Sequence, residues 1–234
     1  MKGNNITMSH LNPIIKRKRK GLVLAIVGGI IGTFLLSGAM TPAFSNFTAS
    51  INNSTNTVGS GTLLLSENQG ATTCLSSAAG TVTVANAGTC ATINKFGGNL
   101  VSAPGGTPAV QTVTIKNNGT LPANTFTLTP AGCAQAANGA VNGTATDFCS
   151  KVNLTIADTT GTAACVFPAG AGACPAISNT NTLTTLGTTP IALTSPLAPG
   201  ATRSFTFTVQ IDGGSTNAYQ GLQASDALLW SIAS

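Results

Sequence analysis

An all-β fold is predicted: a jelly-roll-like β-sandwich with long disulfide-stapled loops, preceded by an N-terminal signal helix. Three observations predict it. Short runs alternate hydroxyl or other polar residues with β-branched and aromatic ones, the period of two expected of a strand with one buried face. No stretch after Met40 keeps a 3.6-residue apolar period through three turns, so long helices are not expected. All six cysteines follow the apolar N-terminal run, and an even count in an exported chain points to disulfides.

The N-terminus carries the features of export in order. Lys16, Arg17, Lys18, Arg19 and Lys20 form a basic run. Residues 21–40 are uncharged and rich in Leu, Ile and Val; small residues follow at Ser37-Gly38-Ala39 and Thr41-Pro42-Ala43. This is the form of a secretory signal peptide, with cleavage after Ala39 or between Ala43 and Phe44. The bases stay on the cytoplasmic side, which sends the remainder across the membrane. An apolar helix of about 20 residues also spans about 30 Å, so an uncleaved signal anchor crossing the membrane through residues 21–40 is the alternative. The organisation expected is a signal at 1–43, an extended segment at 44–58 and a β domain at 59–234.

Within the domain the strand-like runs fall at residues 61–67, 81–85, 109–117, 125–129, 152–156, 204–211 and 227–233. In SFTFTVQI, Phe205, Phe207, Val209 and Ile211 share one face; in AVQTVTIKN, Val113 and Ile115 do. Single helical turns are expected around residues 144–148 and 218–220. Asn117-Asn118-Gly119 is the strongest turn signal, because Asn-Gly tolerates positive φ. The stretches at 68–80, 130–146 and 158–188 are expected to be loops, and each holds or borders cysteines. Many short strands between such turns suit a sandwich or jelly roll.

Charge narrows the function. The whole chain is formally +5. Beyond Ala43 only Lys95, Lys116, Lys151 and Arg203 face Glu67, Asp147, Asp158, Asp212 and Asp226, a net charge of −1. The basicity belongs to the export signal, which removes the ground for a nucleic-acid partner. About 190 residues remain, enough for one domain with a sizeable core. A weakly charged β surface has little protection against edge-to-edge pairing, a hint of self-association.

Cys74, Cys90, Cys133, Cys149, Cys165 and Cys174 allow fifteen pairings. Sequential pairing is preferred, because each bond would staple a short loop with little core of its own, worth about 2–4 kcal/mol each. A metal site is the rival, weakened by the absence of a CxxC pair and of a histidine partner. The only histidine, His10, lies in the export segment. The mature part thus lacks the Ser-His-Asp, Cys-His and HExxH constellations. Its carboxylates are scattered; a pair such as Asp147 and Asp158 is not singled out by spacing. No catalytic residue, metal or cofactor is expected.

Three stretches together resemble the TasA/camelysin family of exported proteins. They are Ala43-Phe44-Ser45-Asn46 followed by Ser60-Gly61-Thr62-Leu63, then Ile115-Lys116-Asn117-Asn118-Gly119-Thr120-Leu121, and finally Leu197-Ala198-Pro199-Gly200 with Phe205 to Ile211, Tyr219-Gln220-Gly221 and Trp230. They span nearly the whole exported part in order; the cysteines and stapled loops depart from typical members. The resemblance implies a jelly-roll-like domain, processing by a dedicated signal peptidase, and secretion or cell-surface display. It also implies assembly into biofilm matrix fibres, with an N-terminal segment of one subunit completing the sheet of the next. Residues 44–58 suit that role, with Phe47, Ala49 and Ile51 at alternate positions. The alternatives are that the segment folds onto its own domain or stays disordered, that the chain is an anchored monomeric adhesin, or that it is a camelysin-like metalloendopeptidase. The last is opposed by the missing histidine.

Overall fold

The alternating runs pair into antiparallel sheets. The computed structural model describes residues 57–77, 86–98 and 103–234. The export segment, the Ala43–Phe44 junction, Phe47, Ala49, Ile51 and the run at 81–85 lie outside the described residues. Among those described, the strands are β1 (Leu65–Gln69), β2 (Thr72–Leu75), β3 (Ala109–Asn117), β4 (Thr125–Pro130), β5 (Ala134–Ala137), β6 (Val152–Asp158), β7 (Ala164–Phe167), β8 (Ile191–Ala192), β9 (Thr202–Ile211), β10 (Leu222–Ser225) and β11 (Leu228–Ala233). One six-stranded sheet has the order β2-β1-β3-β9-β6-β7. A smaller three-stranded sheet has the order β11-β4-β8, and β10 pairs with β5. Every pairing is antiparallel.

The β10–β5 pair continues the smaller sheet. Ser225 lies opposite Ala134 and Leu228 opposite Pro130. Across the break, the Ala131 N–H donates to the Ala227 carbonyl at 2.8 Å. A proline and a glycine, Pro130 and Gly132, interrupt one partner, and two long strands become four short ones.

The two sheets meet over an aromatic core. Phe205 and Phe207 of β9 point inward and are fully buried, as are Val113 and Ile115 of β3 and Leu154 and Ile156 of β6. Phe126 and Leu128 of β4 face them from the smaller sheet. The Phe126 ring sits edge-on to Phe205 at 5.9 Å, and Trp230 of β11 lies 4.8 Å from Phe205. Such ring pairs add about 0.5–1.5 kcal/mol each beyond their burial. A single helical turn, α1 (Leu183–Leu186), covers the β6 side with Leu183 and Leu186 buried. Thr182 and Thr185 cap its start reciprocally. The other turns are 3-10 turns at Phe148–Lys151, just past the stretch expected to be helical, and at Asn217–Tyr219.

Three disulfides staple the loops: Cys74–Cys90, Cys133–Cys149 and Cys165–Cys174, the sequential set. Each closes a segment of 16, 16 or 9 residues.

Asn117-Asn118-Gly119 works differently from the turn expected. Neither Asn118 nor Gly119 has positive φ. Gly119 is small because a Cβ there would strike the Thr62 carbonyl oxygen. Asn117 is fully buried. Its amide donates to the carbonyls of Leu121 at 2.8 Å and Leu197 at 3.0 Å, and its Oδ1 accepts the Gly119 N–H at 2.9 Å. One side chain thereby ties three loop groups at the end of β3. Asn117→Ala leaves all three without that partner, at about 1 kcal/mol for each bond. A loss of about 3 kcal/mol in chemical denaturation is expected, and a loss below about 1 kcal/mol would contradict this role.

Candidate functional site

A sheet edge presents unpaired N–H and C=O groups, and proteins usually cover such edges. Most of the edges are guarded here. β2 is flanked by the segment that Cys90 ties to Cys74, where a Cβ on Gly88 would strike the Leu75 carbonyl oxygen. β7 is covered by the loop closed by Cys165–Cys174, with the Cys165 N–H donating to the Gly172 carbonyl at 2.7 Å. β8 has two residues and follows Pro190.

β11 differs. Among the described residues it pairs with β4 on one side and with nothing on the other. The hydrogen bond from Ala131 to the Ala227 carbonyl makes Leu228–Pro130 a non-hydrogen-bonded pair, so Leu229, Ser231 and Ala233 direct their backbone groups to β4. The N–H and C=O groups of Leu228, Trp230 and Ile232 therefore face the free edge. The side chains of those three residues pack against the core but are only partly buried, because the sheet ends there. The strand LLWSIA has neither a charge nor a proline, the two usual edge guards.

A cleft of about 640 Å³ opens beside β10 and the start of β11. Val152, Val209 and Ile211 of the large sheet line it, with Leu228 and Leu229 on one side and Ile93 and Phe96 among its other residues. Among the described residues, Lys95 and Asp226 are the charged ones lining it. Lys95 Nζ is 2.8 Å from Glu67 Oε1, with both side chains about nine-tenths buried. The same oxygen accepts the Trp230 indole N–H at 3.0 Å. Glu67 thus joins β11 to the segment across the cleft.

Asp226 lies in the break between β10 and β11. Its Oδ1 accepts the Ala131 N–H at 3.0 Å, whereas Oδ2 is enclosed and meets no hydrogen-bond partner of good geometry among the described residues. Burial pushes this carboxyl above its ordinary value of 3.8, against the lowering effect of the Ala131 and Gly132 N–H groups. A carboxyl held high keeps its proton more firmly folded than unfolded. Its contribution to stability is full below 3.8 and is lost as pH rises through the folded value. Asp226→Asn cannot ionise. Its melting temperature relative to the parent is expected to rise from about pH 4 to about pH 7, and a constant difference would contradict this.

A smaller hollow of about 380 Å³ lies alongside, lined by Phe148, Ile211, Tyr219 and Leu222 among others. The Tyr219 hydroxyl donates to Asp147 Oδ1 at 2.9 Å, which lowers the Asp147 carboxyl and raises the Tyr219 hydroxyl. Lys151 stands 5.8 Å from the Tyr219 ring centre and 3.6 Å from Asp212. Asp158 instead pairs with Arg203 at 3.4 Å. Asp147 precedes β6 and Asp158 ends it, so about 23 Å of extended strand keeps the two apart. They do not form a catalytic pair. Among the described residues, no three of His, Cys, Asp and Glu gather as a group that could hold a metal.

The edge and its cleft escaped the sequence reading, although the alternation of residues 227–233 marked β11 as a strand. Its position as an unpaired edge depends on partners far away in the chain. The chain matches no protein-family model and no curated protein.

Proposed function

We propose that this chain is a structural subunit working outside the cytoplasmic membrane, a TasA-like jelly-roll domain that assembles into extracellular matrix fibres by strand donation. Residues 44–58 of one copy pair with the β11 edge of the next. The observation that carries this is the β11 edge, unpaired among the described residues and beside a cleft with Val, Ile and Leu side chains on its walls. The donor suits the acceptor. Residues 44–58 carry no charge, and Phe47, Ala49 and Ile51 alternate, so backbone groups can complete the ladder while alternate side chains enter the cleft. About 15 extended residues reach about 50 Å, ample for a six-residue edge.

The chain enters the domain beside Thr120 and Leu121, where the Thr62 carbonyl accepts their N–H groups at 2.9 and 3.1 Å. Val58 is fully exposed there. The β11 edge runs from the cleft back towards this point, with Ala233 opposite Thr125. Donation from one copy to the β11 edge of the next is a head-to-tail contact, which propagates as a filament unless it closes into a ring. Three disulfides suit an oxidising compartment. Electron microscopy of the exported chain is the test. Filaments are expected from the parent and none after deletion of residues 44–58. A strict monomer whose behaviour ignores that deletion would refute the proposal.

A further inference from the structure

The smaller sheet is too narrow for the larger one. Beyond β11, the inner face of β1 and β2 is covered by the segment at residues 90–98, a strap without regular structure. Four contacts seat it. Cys90 is bonded to Cys74 of β2. Ile93 is buried in the core. The Asn94 carbonyl accepts the Gln69 side-chain N–H at 3.4 Å. Lys95 reaches the buried Glu67 of β1. Inward side chains on β1 and β2 alternate as Leu65, Glu67 and Gln69, with Cys74 opposite Glu67. Strap and β11 therefore stand on either side of the cleft and share one carboxylate, since Trp230 and Lys95 both bind Glu67 Oε1.

We propose that this strap is a displaceable cover. It holds the place of a strand beyond β11 in the free subunit and swings aside about Cys90 when an extended segment seats on that edge. The inference rests on the strand-donation reading and names how that site is controlled. A new strand must lie about 4.8 Å from β11 to share its ladder, over the part of the large sheet that Lys95 and Ile93 now occupy. The disulfide keeps the strap attached throughout, so the cover can return. Lys95 on Glu67 is the latch. When it leaves, Glu67 keeps the Trp230 N–H, and β11 keeps its position for the incoming strand.

The test compares the exported chain with its Glu67→Gln/Lys95→Ala variant, which removes the latch without leaving a buried unpaired charge. Backbone hydrogen exchange is followed in residues 91–98 for free and assembled protein, beside the rate of filament growth. In the variant, exchange of the free strap should quicken by about tenfold, the value of a charged hydrogen bond, and filaments should grow faster. In parental filaments the strap should exchange faster than in the free subunit, while β11 exchanges more slowly. If filaments form with the strap as protected as before, the strap proposal fails and strand donation stands. If neither protein forms filaments although the variant's strap has loosened, strand donation fails and the cover has nothing to admit. If latch removal leaves strap exchange unchanged, Lys95 is no latch and the proposal falls.

Discussion

Leu228→Pro and Ile232→Pro are each expected to abolish filament growth while leaving a folded domain. Proline removes a backbone N–H and fixes φ near −65°. In the middle of a paired strand it breaks the ladder; on an edge facing solvent it is tolerated. The register decides which case applies. Leu229, Ser231 and Ala233 bond to β4, so proline there would break the smaller sheet. Leu228 and Ile232 turn their N–H groups to the free edge, and β4 loses no partner. The substitutions still shorten two half-buried side chains, at about 1–2 kcal/mol each. A donor strand loses more, because each proline removes one bond and its ring crowds the neighbouring backbone. Leu229→Lys, at an exposed position on the rim of the cleft, adds a charge without removing a free-edge N–H and should slow growth less. Trp230 is the only tryptophan in the chain and sits at that edge, so its emission reports seating directly. Filaments from Ile232→Pro at the parental rate would place the acceptor elsewhere.

Long strands were legible in the sequence because their burial follows their alternation. β4, β6, β9 and β11 carry Phe, Val, Ile, Leu or Trp at most alternate positions and β3 does so at Val113 and Ile115; these positions face inward, and β6 alone is buried on both faces. The short strands were hidden for the opposite reason. AQAA of β5 and LQAS of β10 have no β-branched or aromatic residue, and TTCL of β2 is too short to show alternation; they extend because partner strands hold them, with a disulfide in or beside β2 and β5. β1 begins at Leu65, later than the apolar run at 61–67 suggests. The preceding residues are paired irregularly with the loop after Asn117, through bonds from Asn118 to Leu64 and from Thr120 to Thr62. The candidate site was less legible still. Glu67 and Lys95 are ordinary in the sequence, twenty-eight positions apart and without a motif. Only the narrowness of the smaller sheet makes them neighbours under Trp230. The cysteines were the exception: short loops of small residues leave a staple with one economical pairing.

The other large effect is expected at Glu67 and Lys95, and it is expected to be non-additive. Both side chains are about nine-tenths buried and 2.8 Å apart. Removing one partner leaves the other charged, desolvated and alone, which costs about 3–5 kcal/mol. Lys95→Met keeps most of the apolar stem, so its loss isolates the charge term; Glu67 then retains only the Trp230 N–H. Glu67→Gln retains an oxygen for that N–H but strands the ammonium. Each single variant should lower the melting temperature by roughly 10 °C, given about 2–4 °C per kcal/mol for a domain of this size. The double variant removes both charges and leaves the substituted side-chain amide bonded to Trp230, so most of the loss should return. The cycle, followed by circular dichroism with the disulfides kept oxidised, separates two roles. A recovered double variant means that the pair contributes little net stability and that its value lies in where it holds the strap. Single losses that simply add would instead make Glu67 and Lys95 independent packing residues, and a latch joining strap to β11 could not be built from them.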